Sequence, residues 1–259
     1  MPKSSRWLKG IVAGVIAVLI GFTFHIWWNT HKTTRASITQ GLVAYWSFDR
    51  NSVTGMRVND MSGNGNDGTL TNSPNLVKGK IGQALQLDEA NSFMDAGLKS
   101  SLSNLHALTF SAWIYPQTLN SVEHIVDKGG ANNSGWMINF EANARLQFLA
   151  YFTNGSTERT SDYNLIEQNV WQHIVVTWDG SAMAANVKMY LNGSEMANRA
   201  TFDGRGSRKN DAAYHLYIGD ATTLSPFYGL IDEVRIYNRV LSTDEIQRLY
   251  TMVAEHTGD

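Results

Sequence analysis

Two hydrophobic patterns divide the chain. The first is a continuous apolar run over residues 11–28, broken only by Thr23 and His25. At about 18 residues it reaches the lower limit for a helix that crosses a bilayer. Lys3, Arg6 and Lys9 precede it, and His31, Lys32 and Arg35 follow. Trp7 on one side and Trp27-Trp28 on the other suit interfacial anchors, and the charge bias favours a cytoplasmic N-terminus. A cleaved signal peptide has an apolar stretch of about 7–15 residues and small residues at its cleavage site. Here the run is longer and tryptophans occupy that place, so the reading is an uncleaved single-pass signal anchor. Residues 1–28 are then a cytoplasmic tip and transmembrane helix, and residues 29–40 a polar linker.

The second pattern begins at Gly41 and alternates with a period of two. Residues 42–48 put Ala44, Trp46 and Phe48 on one face, and residues 108–115 do the same with Phe110, Ala112 and Ile114. Side chains alternate across a strand, so each run predicts a strand with one buried face. Further strands are predicted over 84–87, 93–96, 123–128, 136–140, 145–152, 170–178, 187–191, 214–219 and 230–237. Asn192-Gly193 after the 187–191 run is a strong hairpin turn. Many short strands with turn signals between them predict an all-β, two-sheet antiparallel sandwich or jelly roll over residues 41–259. One short helix ends it. Ser242 with Glu245 forms a capping box, and Ile246, Leu249, Tyr250 and Val253 form its apolar stripe.

Composition narrows the chemistry. The 259 residues carry 21 Lys and Arg against 23 Asp and Glu, a formal charge of −2, with the basic residues scattered. That leaves no electrostatic footprint for nucleic acid. With no cysteine, disulfides, thiolate metal sites and cysteine nucleophiles are excluded. The seven histidines show no short helical spacing of the kind a zinc site uses. His173, inside an apolar strand, reads as a hydrogen-bonded structural histidine.

The stretch Asp60-Met61-Ser62-Gly63-Asn64-Gly65-Asn66 carries oxygen side chains at alternate positions and a glycine at the sixth, like the first half of a calcium loop. The twelfth position is Thr71 rather than Glu, so it is not an EF-hand. Asp49 and Asp232, at the ends of strands expected to be neighbours, are the candidates for the missing ligands. Asp49, Asp60, Asn64, Asn66 and Asp232 are thus the candidate ligands of a structural Ca²⁺. The alternative is an Asx-rich turn whose side chains satisfy their own backbone.

Several stretches, in order, resemble the laminin-G-like branch of the concanavalin A-like lectin/glucanase superfamily. They are Trp46, Phe48 and Asp49; the Asp60–Gly68 loop; Gly79-Lys80-Ile81-Gly82-Gln83-Ala84-Leu85; Phe110-Ser111-Ala112-Trp113-Ile114; Trp171 to Gly180; Met189 to Gly193; Ile218-Gly219; and Ile231-Asp232-Glu233-Val234. The resemblance spans roughly residues 41–250. It implies a jelly roll that often carries one calcium and that binds glycans or extracellular proteins.

Sugar binding needs aromatic faces beside amide and carboxylate groups. The loop-proximal aromatics Trp136, Tyr151, Tyr163, Tyr214, Phe227 and Tyr228 are the candidate ligand-binding residues, and segment 131–165 is richest in Asn, Gly and aromatics. Catalysis reads as absent. The glucanase branch draws its carboxylates from one strand, and the nearest match, Glu123-His124-Ile125-Val126-Asp127, has the wrong spacing. No nucleophile elbow or phosphate-binding loop is present. The leading expectation is a membrane-anchored, extracytoplasmic module, at the cell surface or in the periplasm, that recognises a glycan or an envelope protein without catalysis. The alternatives are a structural or assembly subunit of an envelope complex and, behind it, a glycoside hydrolase.

Overall fold

The computed structural model describes residues 38–87, 92–119, 121–219 and 225–252. The apolar run 11–28 and Val253 of the predicted helical stripe lie outside them. No helix among the described residues is long and apolar enough to cross a membrane. Residues Gly41–Asp259 form one compact unit.

In chain order the strands are β1 (Leu42–Trp46), β2 (Val53–Thr54), β3 (Arg57–Val58), β4 (Gly68–Thr71), β5 (Asn75–Lys78), β6 (Gln83–Leu87), β7 (Phe93–Asp95), β8 (Leu108–Pro116) and β9 (Glu123–Lys128). They continue as β10 (Trp136–Glu141), β11 (Arg145–Ser161), β12 (Gln172–Trp178), β13 (Lys188–Leu191), β14 (Ser194–Glu195), β15 (Asn198–Phe202), β16 (Arg205–Arg208), β17 (Tyr217–Ile218) and β18 (Gly229–Tyr237), followed by helix α1 (Thr243–Thr251). Among the described residues they build two sheets. One has eight strands in the order β14-β13-β12-β8-β18-β6-β5, with β1 also on β18; the other has ten, in the order β15-β11-β10-β9-β17-β7-β4-β3-β2, with β16 on β11.

The core lies between the sheets. Trp46, Leu85, Phe110, Ile174 and Ile236 come from the eight-stranded sheet, and Met94, Val126, Ile138, Phe140, Phe148 and Ile218 from the other; all are fully buried in one apolar cluster. Burying side chains of this size stabilises by about 1.5–3 kcal/mol each before entropy is counted. Trp178 caps the cluster, its ring 5.4 Å from that of Phe148.

Two features differ from the pattern read along the chain. β11 runs for 17 residues, well past the predicted end at 152. Its second half is polar because it pairs at the margin of the sheet, first with β16 and then with β15. β18, in turn, divides one of its edges. Gly229 to Ile231 pair with β6, and Val234 to Tyr237 pair with β1. Between them the β8 pairing slips, and Glu233 adopts φ 56°. The bulge turns Asp232 and Glu233 out of the ladder at the point where the partner changes.

Helix α1 begins with the expected capping box: Ser242 Oγ accepts from Glu245 N, and the Glu245 carboxylate accepts from Ser242 N. Arg239 clasps the same carboxylate at 2.7 Å and 2.9 Å, which, with the Ser242 bonds, pulls the Glu245 pKa down to about 2. Ile246 and Leu249 pack onto Val175, Tyr190, Tyr237 and Leu241, covering part of the outer face of the eight-stranded sheet.

Candidate functional site

The outer face of the ten-stranded sheet is built differently. Cross-strand pairing aligns Thr69, Asp95, Tyr217, Asp127, Met137 and Leu149 across β4, β7, β17, β9, β10 and β11. Residues two apart on a strand share a face. Phe93 therefore joins Asp95, and Tyr151 joins Leu149; His215, just before β17, reaches the same face by its contacts with Tyr217 and Asp95. The flanking Val126, Ile138, Phe148 and Ala150 point into the core.

This face carries an aromatic row edged by carboxylates. The Phe93 ring meets Tyr217 edge-on at 5.5 Å, and His215 stacks on Tyr217 at 5.8 Å. His215 Nδ1 lies 2.8 Å from Asp95 Oδ2, and Asp95 Oδ1 accepts from Gly97 N at 2.7 Å. All four residues are half-buried, so ring faces and polar edges stay accessible. Asp127 lies on the other side of Tyr217 and accepts from Gly130 N and Ala131 N, which fixes the short 3₁₀ turn Gly130–Asn132. Burial, then the charges of Asp95 and Asp127, raises the Tyr217 hydroxyl pKa; burial, then Glu158 and Asp127, raises that of Tyr151. Both phenols remain neutral donors. Further along, Asn139 Nδ2 donates to Gln147 Oε1 at 3.2 Å and Gln147 Nε2 to Glu141 Oε1 at 2.7 Å. Outward-pointing Asp127, Asn139 and Gln147 are only 1%, 2% and 8% exposed: the 3₁₀ turn covers Asp127 and Met137, so this part of the face is withdrawn from solvent and the accessible part is the row around Tyr217.

The six aromatics expected to meet ligand separate. Trp136 and Phe227 are fully buried and serve the core, which corrects that expectation. Trp136 shares the inward parity of Ile138 and Phe140, and Phe227 packs on Phe140 at 6.0 Å. Tyr151 is half-buried on the same outer face, on β11, with β10 and β9 between it and the row. Tyr163 is exposed beneath the Arg145 guanidinium, 4.8 Å from its ring, by the β10–β11 turn. Tyr214 packs against Gly129, and its carbonyl accepts from the buried Lys128 ammonium. Tyr228 is half-buried and donates its N–H to Glu123 at 3.1 Å. Phe93, Asp95, His215 and Tyr217 are not among the residues the sequence singles out; Phe93 and Asp95 have the period-two spacing of one strand face, whereas the strand predicted over 214–219 is only Tyr217–Ile218, so His215 precedes it.

The five candidate calcium ligands fall into two groups. Asp60 is saturated: Oδ1 accepts from Tyr45 N and Ser62 N at 2.9 Å, and Oδ2 from Ser62 Oγ at 2.8 Å and Asn66 N at 2.9 Å. The side-chain amides of Asn64 and Asn66 donate to Val43 O at 3.0 Å and 2.8 Å. The loop thus takes the place of a neighbouring strand along the free edge of β1, and its oxygens serve backbone donors. Asp49 and Asp232 do converge, on the turn before β6. Asp49 Oδ1 accepts from Gln83 N at 3.0 Å and Asp232 Oδ2 from Ile81 N at 2.9 Å. Gly82 has φ 49°, and a Cβ there would stand 1.9 Å from Asp49 Oδ1. Asp232 Oδ1 is buried without a hydrogen-bond partner, and burial, with Glu233 and Asp49 adding to it, pushes the Asp232 pKa up to about 8. Two carboxylates and an orphaned oxygen suit a hard cation; the Asx loop does not contribute. Among the described residues no group of three or more His, Asp or Glu side chains is placed to hold a metal.

His173 is fully buried, with Nε2 2.9 Å from Ser111 Oγ, and desolvation pulls its pKa down to about 3. It is the structural histidine expected from its strand. Glu123 is buried, its pKa raised by desolvation, and it ties Thr118 and Tyr228 N rather than facing a second carboxylate.

The profile of the Concanavalin A-like lectin/glucanases superfamily (Laminin_G_3) matches residues 88–247. Among solved structures, the binding domain of Paraclostridial Mosquitocidal Protein 1 superposes with a TM-score of 0.64 at 19% identity, covering 83% of this chain and 53% of that one. Domain 4 of AbnA, an extracellular arabinanase from Geobacillus stearothermophilus, in complex with arabinotriose, gives 0.53 at 23% identity over 81% and 98%. The binding domain of botulinum neurotoxin DC in complex with rat synaptotagmin II gives 0.60 at 15% over 84% and 52%. The chain therefore spans about half the length of the toxin domains it matches and nearly all of the arabinanase domain. At these identities the likeness is one of fold.

Proposed function

The chain belongs to the laminin-G-like family of the concanavalin A-like lectin/glucanases superfamily, and on that premise we propose that its sandwich is a non-catalytic recognition module that binds a glycan. The observation that carries this is the half-buried aromatic row on the outer face of the ten-stranded sheet, where Phe93, Tyr217 and His215 stand beside Asp95. Rings contact the apolar faces of a sugar, and a fixed carboxylate accepts from its hydroxyls. Asp95 already accepts from Gly97 N, which fixes the direction of its carboxylate beside the rings. Arabinotriose on a domain of the same fold supports the choice of ligand class. The apolar run 11–28 is proposed as the membrane anchor, with the sandwich outside the cytoplasm.

The test is a polysaccharide and glycan panel on the full-length chain. Binding is expected, and Tyr217→Ala is expected to weaken it by about tenfold or more, as removal of a central aromatic contact does. Absence of binding to every glycan sinks the reading. It would favour a protein-recognition module instead, for which Met183 (53% exposed) and Phe202 (63% exposed) are the apolar surface.

A structural Ca²⁺ on Asp49 and Asp232, completed by main-chain carbonyls, is part of the proposal. Without metal, Asp232 holds its proton in the folded state up to about 8, while the unfolded chain releases it near 3.8. Below 3.8 both states are protonated; between the two values only the unfolded state ionises, so stability falls as pH rises towards 8. Calcium is expected to raise Tm at pH 8, and Asp232→Asn to abolish both the calcium response and the pH slope. A Tm at pH 8 that is the same in calcium and in EDTA removes the metal from the proposal.

A further inference from the structure

A second site lies among the loops around residues 104, 180 and 209. A cavity of about 330 Å³ is lined by Asn104, His106, Gly180, Arg208, Lys209 and Asn210. No carboxylate lines it, although the chain as a whole carries a slight acidic excess. Its side chains are cationic or carboxamide groups, plus one exposed imidazole.

The nearest acids are committed elsewhere. Asp211 is fully buried behind the cavity, with Oδ2 2.7 Å from Arg208 Nη2 and Oδ1 2.6 Å from Asn104 N. Asp179, next to the lining Gly180, turns its carboxylate to Ser181 and Asn186. Arg208 is held as a rigid fork: its guanidinium lies 4.9 Å from the Trp178 ring centroid and also donates to Leu105 O. Asn210 Oδ1 accepts from Ala212 N at 2.8 Å and from Asn104 Nδ2 at 3.1 Å, which identifies its other terminal atom as the NH₂ donor. Lys209 Nζ gives a proton to Asn133 O at 2.9 Å, and an ammonium has three. The site is thus a preorganised set of donors with positive charge at its rim.

We propose that this cavity binds a carboxylate-bearing sugar, a uronate or sialate unit of an acidic glycan. Guanidinium and ammonium groups suit a carboxylate, and the carboxamides of Asn104 and Asn210 suit hydroxyl or acetamido groups. The volume sits at the small end of ligand pockets, about 300–1,000 Å³, and exceeds what a bare inorganic anion needs. The proposal rests on the reading of the sandwich as a glycan-binding module but uses residues outside the Tyr217 row.

The experiment titrates the full-length chain with glucuronic acid, N-acetylneuraminic acid, glucose and sulfate at constant ionic strength, by calorimetry or ligand-observed NMR. At least one acidic sugar is expected to bind about tenfold more tightly than glucose or sulfate, the size of a charge-assisted pair. Lys209→Gln combined with Asn210→Ala is expected to remove that preference while the chain stays folded, with Tm lowered only slightly by the lost bonds to Ala212 N, Asn104 Nδ2 and Asn133 O. Tyr217→Ala is expected to leave it intact while weakening the neutral glycan found on the panel, so the two sites fail separately. Equal affinity for sulfate would reduce the cavity to a general anion site. Equal affinity for glucose, no binding of either acid, or an unaffected double variant would each overturn the proposal.

Discussion

The two sheets share one core and present opposite outer faces. On the eight-stranded sheet the outer face carries Val175, Tyr190 and Tyr237, and helix α1 covers it with Ile246 and Leu249. On the ten-stranded sheet it carries Asp95, Asp127, Asn139, Gln147 and Tyr217; among the described residues only the short 3₁₀ turn Gly130–Asn132 covers Asp127, while Phe93, Asp95, His215 and Tyr217 stay half-buried. A face that is apolar is closed by the chain's own last helix. On the other face the aromatic row around Tyr217 stays half-buried and partly accessible, with its hydrogen bonds already arranged. On the proposed reading, recognition belongs to the Tyr217 side of the sandwich and structural closure to the helix side.

Substitutions on each side sharpen that assignment, and the largest effect belongs to the closed side. Ile246→Ala removes a fully buried side chain from the helix–sheet contact and is expected to cost about 2–5 kcal/mol. Denaturant unfolding measures this, and glycan affinity of the folded fraction should not change. A loss of affinity there would break the division between the faces. The capping box gives a smaller effect on the same side: Ser242→Ala should cost about 0.5–2 kcal/mol. The open side gives the smallest stability effect. Tyr217→Ala, at a half-buried position, should lower stability by no more than about 1–2 kcal/mol while weakening ligand binding. If that variant unfolds as readily as Ile246→Ala, the Tyr217 row is structural and the comparison collapses.

Much of this could be read from the chain, and the failures share a cause. Alternation located Trp46, Phe48, Phe110 and Ile114 in the core because a strand's parity is local. The capping box at Ser242 and Glu245 is local too. Which parity faces the core is set by pairing, and so Trp136 was taken for a surface aromatic although it shares the parity of Ile138 and Phe140. Phe93 with Asp95, and His215 with Tyr217, lie far apart in sequence; only the β7–β17 ladder brings them together. In the Asp60–Asn66 loop only Asp60 accepts from the edge of β1, at Tyr45 N, while Ser62, Asn64 and Asn66 donate to Val43 O. Hydroxyl and carboxamide side chains both donate and accept, so their spacing alone does not say whether they turn oxygens to a cation or donors to a strand edge. β11 was cut short because its outer half pairs at the margin and carries the polar residues of an exposed strand.

The divided edge of β18 has a consequence for how the protein is made. Leu42 of β1 pairs with Tyr237, near the end of the last strand. During synthesis β1 leaves the ribosome without its partner and stays unpaired while roughly 190 further residues are added, on the order of 10–40 s at bacterial to eukaryotic elongation rates. β8 and β6 wait for the same strand. The eight-stranded sheet is therefore completed from its middle and last, after translation of β18. A nascent chain stalled before Gly229 would carry three strand edges that only its missing C-terminus can cover.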